Sequence, residues 1–167
     1  MGNESSTAKG WDRPSIDRVE RGLFIGGMAG AARHAELKRL GVTHVLCMAN
    51  YDADARALDR SSFTYMVVRA QDTSTHDVAR HFDSVDAFIC QGRAAGGVYV
   101  HCLAGISRAA TAVLVHLMRA QQQPDLCSAY HYLKTARPCV KPNPGFWCAL
   151  EREQIRLRLS LGPSAQR

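Results

Sequence analysis

The apolar residues of this chain follow two alternating periods. Short runs rich in β-branched, aliphatic and aromatic residues have the length and make-up of buried strands: Leu23-Phe24-Ile25, Val45-Leu46, Tyr65 to Val68, and Val98-Tyr99-Val100. Between them, apolar residues recur at spacings of three and four. Val78, Phe82, Val85, Phe88 and Ile89 mark a helix from Val78 to about Ala94, with Thr75 or Asp77 placed to cap its start. The same reading predicts a hairpin from Ile16 to Gly27 turning at Arg21-Gly22, and a helix from Gly30 to Leu40 ended by Gly41. It predicts strands from Thr43 to Met48 and from Tyr65 to Val68, joined by a polar connection from Asn50 to Ser62 that holds a helical turn. The stretch from Arg108 to Gln121 is apolar almost all round, so it should run through the centre of the domain. Pro124 opens a helix to about Ala136, and after three interrupting prolines a last helix runs from about Gly145 to Leu159. Residues 1–15 read as a flexible polar arm, 16–160 as one domain and 161–167 as a fraying tail. Strands alternating with helices indicate a layered α/β domain.

Composition narrows the classes. A chain of 167 residues, 46% hydrophobic, suffices for a single real core. No apolar run approaches the ~20 residues of a membrane span, and the polar opening is unlike a secretory signal, so a cytoplasmic protein is expected. The net charge of +6 is dispersed, without the Lys/Arg block of a nucleic-acid site, but it favours anionic substrates. The cysteines (47, 90, 102, 127, 139 and 148) show neither C-x-x-C nor zinc-type pairing, and no metal or cofactor is expected.

One short segment carries the chemistry. His101-Cys-Leu-Ala-Gly-Ile-Ser-Arg108 lies between a predicted strand and a predicted helix, at the strand edge where such sheets bind ligands. Cys102 attacks only as a thiolate. The positive end of the following helix, the inward amides of the loop and the permanent charge of Arg108 all favour that anion. The same groups suit a phosphoryl oxyanion: backbone donors from Leu103, Ala104, Gly105, Ile106 and Ser107 with a guanidinium fork from Arg108. Gly105 supplies a Cβ-free turn toward the ligand. His101 is expected to orient the loop by hydrogen bonding, and Ser107 to donate to the sulfur or the loop backbone. Attack on a phosphate ester also needs an acid for the leaving oxygen. Asp72, on the loop after the Tyr65 to Val68 strand, is a candidate, although an aspartate there also reads as a turn or cap residue. Asp77 and Asp83 are rivals that fit better on the helix.

These residues resemble the dual-specificity subgroup of the cysteine-dependent protein tyrosine phosphatases, in particular its small, atypical members. The likeness spans about Ile16 to Ile155. It rests on Val100-His-Cys-Leu-Ala-Gly-Ile-Ser-Arg108, on Asp72 at the family's general-acid position, and on Arg137-Pro-Cys-Val-Lys-Pro-Asn-Pro-Gly-Phe146. The resemblance implies a central twisted, mostly parallel sheet flanked by helices, and a cysteinyl-phosphate intermediate. It implies Cys102 as nucleophile, Arg108 as phosphate clamp, Asp72 as general acid and base, phosphotyrosine and phosphoserine/threonine proteins as substrates, and no metal. Leu103, Ala104 and Ile106 are apolar where phosphoinositide-directed relatives carry lysines, so a substrate with a single phosphate is the better match.

The chain departs from the family after the arginine. Members usually carry Ser or Thr there, whose hydroxyl stabilises the departing thiolate; this chain has Ala109, with Thr111 two residues on facing elsewhere. Slower hydrolysis of the phosphoenzyme is the expected consequence. Two other readings stay open at this point: a phosphate-binding scaffold with little turnover, marked by Ala109, and a redox-sensing protein pairing Cys102 with Cys47 or Cys139. Finally, Met1-Gly-Asn-Glu-Ser-Ser6 fits the pattern for myristoylation of Gly2. A single acyl chain gives weak, reversible membrane attachment.

Overall fold

The computed structural model describes residues 15–49, 59–122 and 124–162. Five strands form one sheet in the order β1-β2-β5-β3-β4: β1 (Ile16–Glu20), β2 (Leu23–Gly26), β3 (His44–Cys47), β4 (Thr64–Val67) and β5 (Val98–His101). β1 and β2 are the predicted antiparallel hairpin; β2, β5, β3 and β4 run parallel. β5 is therefore central, with Val100 paired between Ile25 and Leu46, and all four of its residues are buried. Buried parallel strands need no polar face, which is why Val98, Tyr99 and Val100 read as a continuous apolar run. Period-two alternation sends Val98 and Val100 into the larger core, while Tyr99 joins Phe24, Leu37, Val42, Val45 and Phe63 on the opposite face.

Among the described residues six α-helices cover the two faces: α1 (Met28–Ala31), α2 (His34–Arg39), α3 (Phe82–Ala94), α4 (Arg108–Arg119), α5 (Leu126–Ala136) and α6 (Pro144–Ser160). α4 is buried from Arg108 to Met118, as its all-round apolar surface requires, and packs against α3, α5 and α6. At the last residue of α4, Arg119 bonds Asp83, Asp86 and Glu153, and Arg156 closes on Glu153 from its own helix. Arg156 and then Arg119 hold the Glu153 carboxyl below its ordinary value.

Three local expectations are corrected. The single helix predicted from Gly30 to Leu40 is two short helices. Arg33, at ψ +59°, takes the chain out of helical geometry between them. α1 is pinned beside the central strand: Tyr99 Oη donates to Gly27 O at 2.8 Å, and a Cβ on Gly30 would lie 2.3 Å from that hydroxyl. α2 turns separately so that Leu37 enters the small core. Neither Thr75 nor Asp77 caps the next helix. It begins as a 3-10 turn (Ala79–His81) after Val78, and no side chain caps that turn or α3. Burial of Val78 and Phe82 sets this start instead. α5 opens at Leu126 rather than Pro124, because the Asp125 carboxylate accepts the Ser128 N–H at 2.9 Å. α6 starts at Pro144 behind an Asn143 cap, close to the expected position. The N-terminal arm except Ser15, most of the polar connection and the end of the tail lie outside the described residues.

Candidate active site

β5 ends at His101 and α4 begins at Arg108, so residues 102–107 form a loop at the C-terminal edge of the central strand and the N-terminus of the buried helix. The loop's carbonyls are tied outward one after another. Leu103 O accepts from Met28 N at 2.9 Å, Ala104 O from Arg137 Nη2 at 2.8 Å, Gly105 O from Arg137 Nε at 2.8 Å and Ile106 O from Lys141 N at 2.8 Å. Across a trans peptide the N–H points opposite to the carbonyl. Four outward carbonyls therefore turn the amides of residues 104–107 inward, into a nest for an anion. The amide of Gly105 already meets Cys102 Sγ at 3.2 Å. Gly105 has φ +69°, and a Cβ there would lie 2.4 Å from the Gly26 backbone, so the turn admits glycine alone. Cys102 is buried, while Leu103 is half exposed on the rim. His101 stacks on Tyr99 and its Nδ1 donates to Cys102 O at 3.3 Å.

Arg108, the first residue of α4, is 9% exposed. Its Nη1 donates to Ala70 O at 3.1 Å, and its Nε lies 3.6 Å from Asp72 Oδ2. That Nε is buried and makes no hydrogen bond inside the protein. A buried guanidinium N–H that makes no hydrogen bond is uncommon, and it marks where an oxyanion can be gripped. Asp72 stands above the loop with a 36% exposed side chain, brought there by the segment that follows β4. Ser107 Oγ donates to Asp72 Oδ1 at 2.7 Å and accepts from Asn143 N at 3.0 Å. The expectation that Ser107 donates to the sulfur or the loop backbone is thus corrected: its hydroxyl hydrogen goes to the Asp72 carboxyl group, brought within 2.7 Å by the segment after β4. Asn143 Nδ2 also donates to Asp72 Oδ1, at 2.9 Å. Ala109 is fully buried and its methyl offers no hydrogen bond; Thr111 donates back to Ser107 O at 2.9 Å, away from the sulfur.

Two contributors had no assigned role in the sequence reading. Arg137, 3% exposed, grips the two loop carbonyls and bonds Ser15 and Asp17, while Asn143 joins α6 to Asp72. Both sit in the 137–146 segment, which stood out only by resemblance. The rival acids lie elsewhere: Asp83 pairs with Arg119, and Asp77 precedes the 3-10 turn. Cys102 is in no disulfide with Cys47 or Cys139; Cys47 lies opposite His101 in the sheet register. Gly2 lies outside the described residues.

Among the described residues, one group could offer metal ligands: Asp86, Cys90 and His116, whose ligand atoms lie within 4.8 Å of one another. Its chemistry does not fit. Arg93 donates to His116 Nε2 at 2.8 Å, so Nδ1 carries the proton and gives it to Asp86 Oδ1 at 2.8 Å. Burial, then Asp86, push the Cys90 thiol up. The cluster is already filled by its own protons and by two arginines, since Arg119 also reaches Asp86. No helix among the described residues is long and apolar enough to cross a membrane.

Comparison with known proteins places this geometry. Dual specificity protein phosphatase 1 of Arabidopsis thaliana is 36% identical over 148 residues, covering 88% of this chain and 72% of its own length. MAP kinase phosphatase with leucine-rich repeats protein 3 of Dictyostelium discoideum is 36% identical over 137 residues, covering 81% of this chain but 16% of its own. The chain spans 16%, 56% and 39% of the length of three of the curated relatives it matches. A crystal structure of a point variant of human DUSP28 superposes with a TM-score of 0.81 at 29% identity, covering 89% of this chain and 99% of that one. A family model for the dual specificity phosphatase catalytic domain matches residues 23–155, which hold the whole sheet from β2 onward, the 102–108 loop, Asp72 and Asn143. The chain belongs to the dual specificity phosphatase catalytic-domain family.

Proposed function

We propose that residues 16–160 form a protein phosphatase that hydrolyses phosphotyrosine and phosphoserine/threonine monoesters through a cysteinyl-phosphate intermediate. The observation that carries this is the convergence of the Cys102 sulfur, the inward amides and the buried Arg108 Nε, which makes no hydrogen bond, on one loop, with Asp72 beside them. In the first step Cys102 Sγ forms a bond to phosphorus as the ester P–O bond breaks. The leaving oxygen takes that electron pair and a proton from Asp72. In the second step water attacks phosphorus, Asp72 accepts its proton, and the S–P bond breaks to return the thiolate and free phosphate. Within residues 102–108 the sole cation is Arg108, which matches a substrate bearing one phosphate at the reacting position. Family membership supports phosphoproteins as the partners.

The test is acid-quenched turnover of an aryl phosphate, with vanadate as inhibitor. Vanadate-sensitive turnover through a trapped phosphoenzyme is expected. Tight phosphopeptide binding with no phosphoenzyme would instead establish the scaffold reading. Ala109 sets the expected kinetics. With one donor missing from the departing sulfur, hydrolysis of the intermediate is the slow step, and a burst of phenol is expected. Ala109→Ser should raise the steady-state rate by about 10-fold, the weight of one hydrogen bond to a charged group. A serine variant that turns over no faster counts against this account of Ala109.

We further propose, from the motif at Met1 to Ser6, that Gly2 is myristoylated and that the chain associates reversibly with cytoplasmic membrane surfaces. Intact mass of protein made in a eukaryotic host decides it: a myristoyl adduct is expected, and an acetylated or unmodified glycine removes the proposal.

A further inference from the structure

We propose that Asn143 is a positioning residue for the acid step, fixing which oxygen of Asp72 carries the transferable proton. The inference rests on Asp72 being the general acid and concerns how that acid is oriented.

The donors and acceptors around Asn143 leave one assignment. Phe146 N–H caps against Asn143 Oδ1 at 3.0 Å, and an N–H can meet only the amide oxygen, so the other amide terminus, facing Asp72, is the NH2. The backbone N–H of Asn143 donates to Ser107 Oγ at 3.0 Å, which leaves the Ser107 hydroxyl hydrogen to point at Asp72. Asp72 Oδ1 thus receives two hydrogens, at 2.7 and 2.9 Å. A proton placed on Oδ1 would turn the Ser107 hydroxyl away from its acceptor. Oδ2 receives no such donor: Arg108 Nε, its nearest charged neighbour, is at 3.6 Å, beyond hydrogen-bond reach. The proton accordingly sits on Oδ2, the oxygen on the side of the phosphate clamp. Asn143 does this while capping α6, so the acid's orientation is referred to a 17-residue helix rather than to the exposed loop that carries Asp72.

Asn143→Ser tests this, because serine caps a helix start about as well as asparagine and lacks the NH2. Wild type, Asn143→Ser and Asp72→Ala are compared on aryl phosphates whose leaving phenols range from acidic to weakly acidic. General acid catalysis is worth about 10²–10⁴-fold where the leaving group needs protonation, so Asp72→Ala should lose that on weakly acidic phenols and far less on acidic ones. Asn143→Ser should show the same dependence with a smaller span, about 10-fold on the weakly acidic phenols, and no further loss when combined with Asp72→Ala. A uniform loss across the series, or a dependence matching wild type, overturns the role of Asn143. If Asp72→Ala itself shows no dependence, the assignment of the acid fails instead. Should Asn143→Ser unfold, Asn143→Thr, which also caps and lacks the NH2, reads the same series.

Discussion

Cys102→Ser is expected to fold as the parent does and to lose turnover by about four orders of magnitude or more, the scale on which removal of a covalent nucleophile is felt. The substitution changes one buried atom. Cys102 is 2% exposed, and the serine oxygen can still accept the Gly105 N–H, so neither a cavity nor an orphaned donor results. The loop amides and Arg108 remain, and phosphate affinity should persist. What is lost is an atom that the loop can hold as an anion: an alcohol ionises far less readily than a thiol, and the same electrostatics cannot close that gap. Phosphopeptide retention by the serine variant, alongside its absent phosphoenzyme, separates lost chemistry from lost binding. A serine variant with substantial vanadate-sensitive turnover would remove Cys102 from the mechanism.

Arg137→Met is expected to give the largest loss of stability among single changes near the site. Arg137 is a buried cation shared by the Asp17 carboxylate, Ser15 Oγ and the carbonyls of Ala104 and Gly105. Methionine matches much of its length and removes the charge, stranding a carboxylate and two carbonyls. Breaking a buried ion pair costs about 3–5 kcal/mol. For a domain of this size that corresponds to a fall in Tm of about 6–20 °C. Activity should fall as well at temperatures where the variant is folded, because carbonyls freed from Arg137 no longer hold the loop amides inward. Asp17→Asn, which keeps an acceptor for the guanidinium, should cost much less. Equal losses from the two variants would show that the carbonyl contacts contribute little.

The sequence and the structure divide along the range of the interactions involved. The strand runs, the buried α4 and the strand–loop–helix around Cys102 were legible because each follows from neighbours a few residues apart: period two, period 3.6, and a Gly at a turn. The break between α1 and α2 was not, since it comes from Tyr99 and Leu37 packing on the same face of the sheet from distant parts of the chain. Asp72 reads from position alone as a turn residue as readily as an acid. It emerged from resemblance, and its place beside Arg108 depends on a crossover of the parallel sheet.

By itself the sequence determined the layered α/β class, the reactive loop with its thiol, glycine and guanidinium, and the family. Local spacing and residue chemistry suffice for these. The tertiary structure alone decided that Ser107 spends its hydrogen on Asp72, that Arg137 holds the loop from behind, and that Asn143 ties the acid to α6. Each of these bonds joins residues 32 to 71 positions apart. Hydrogen-bond partners at that separation are set by how the sheet and helices pack, and no periodicity in the chain encodes them.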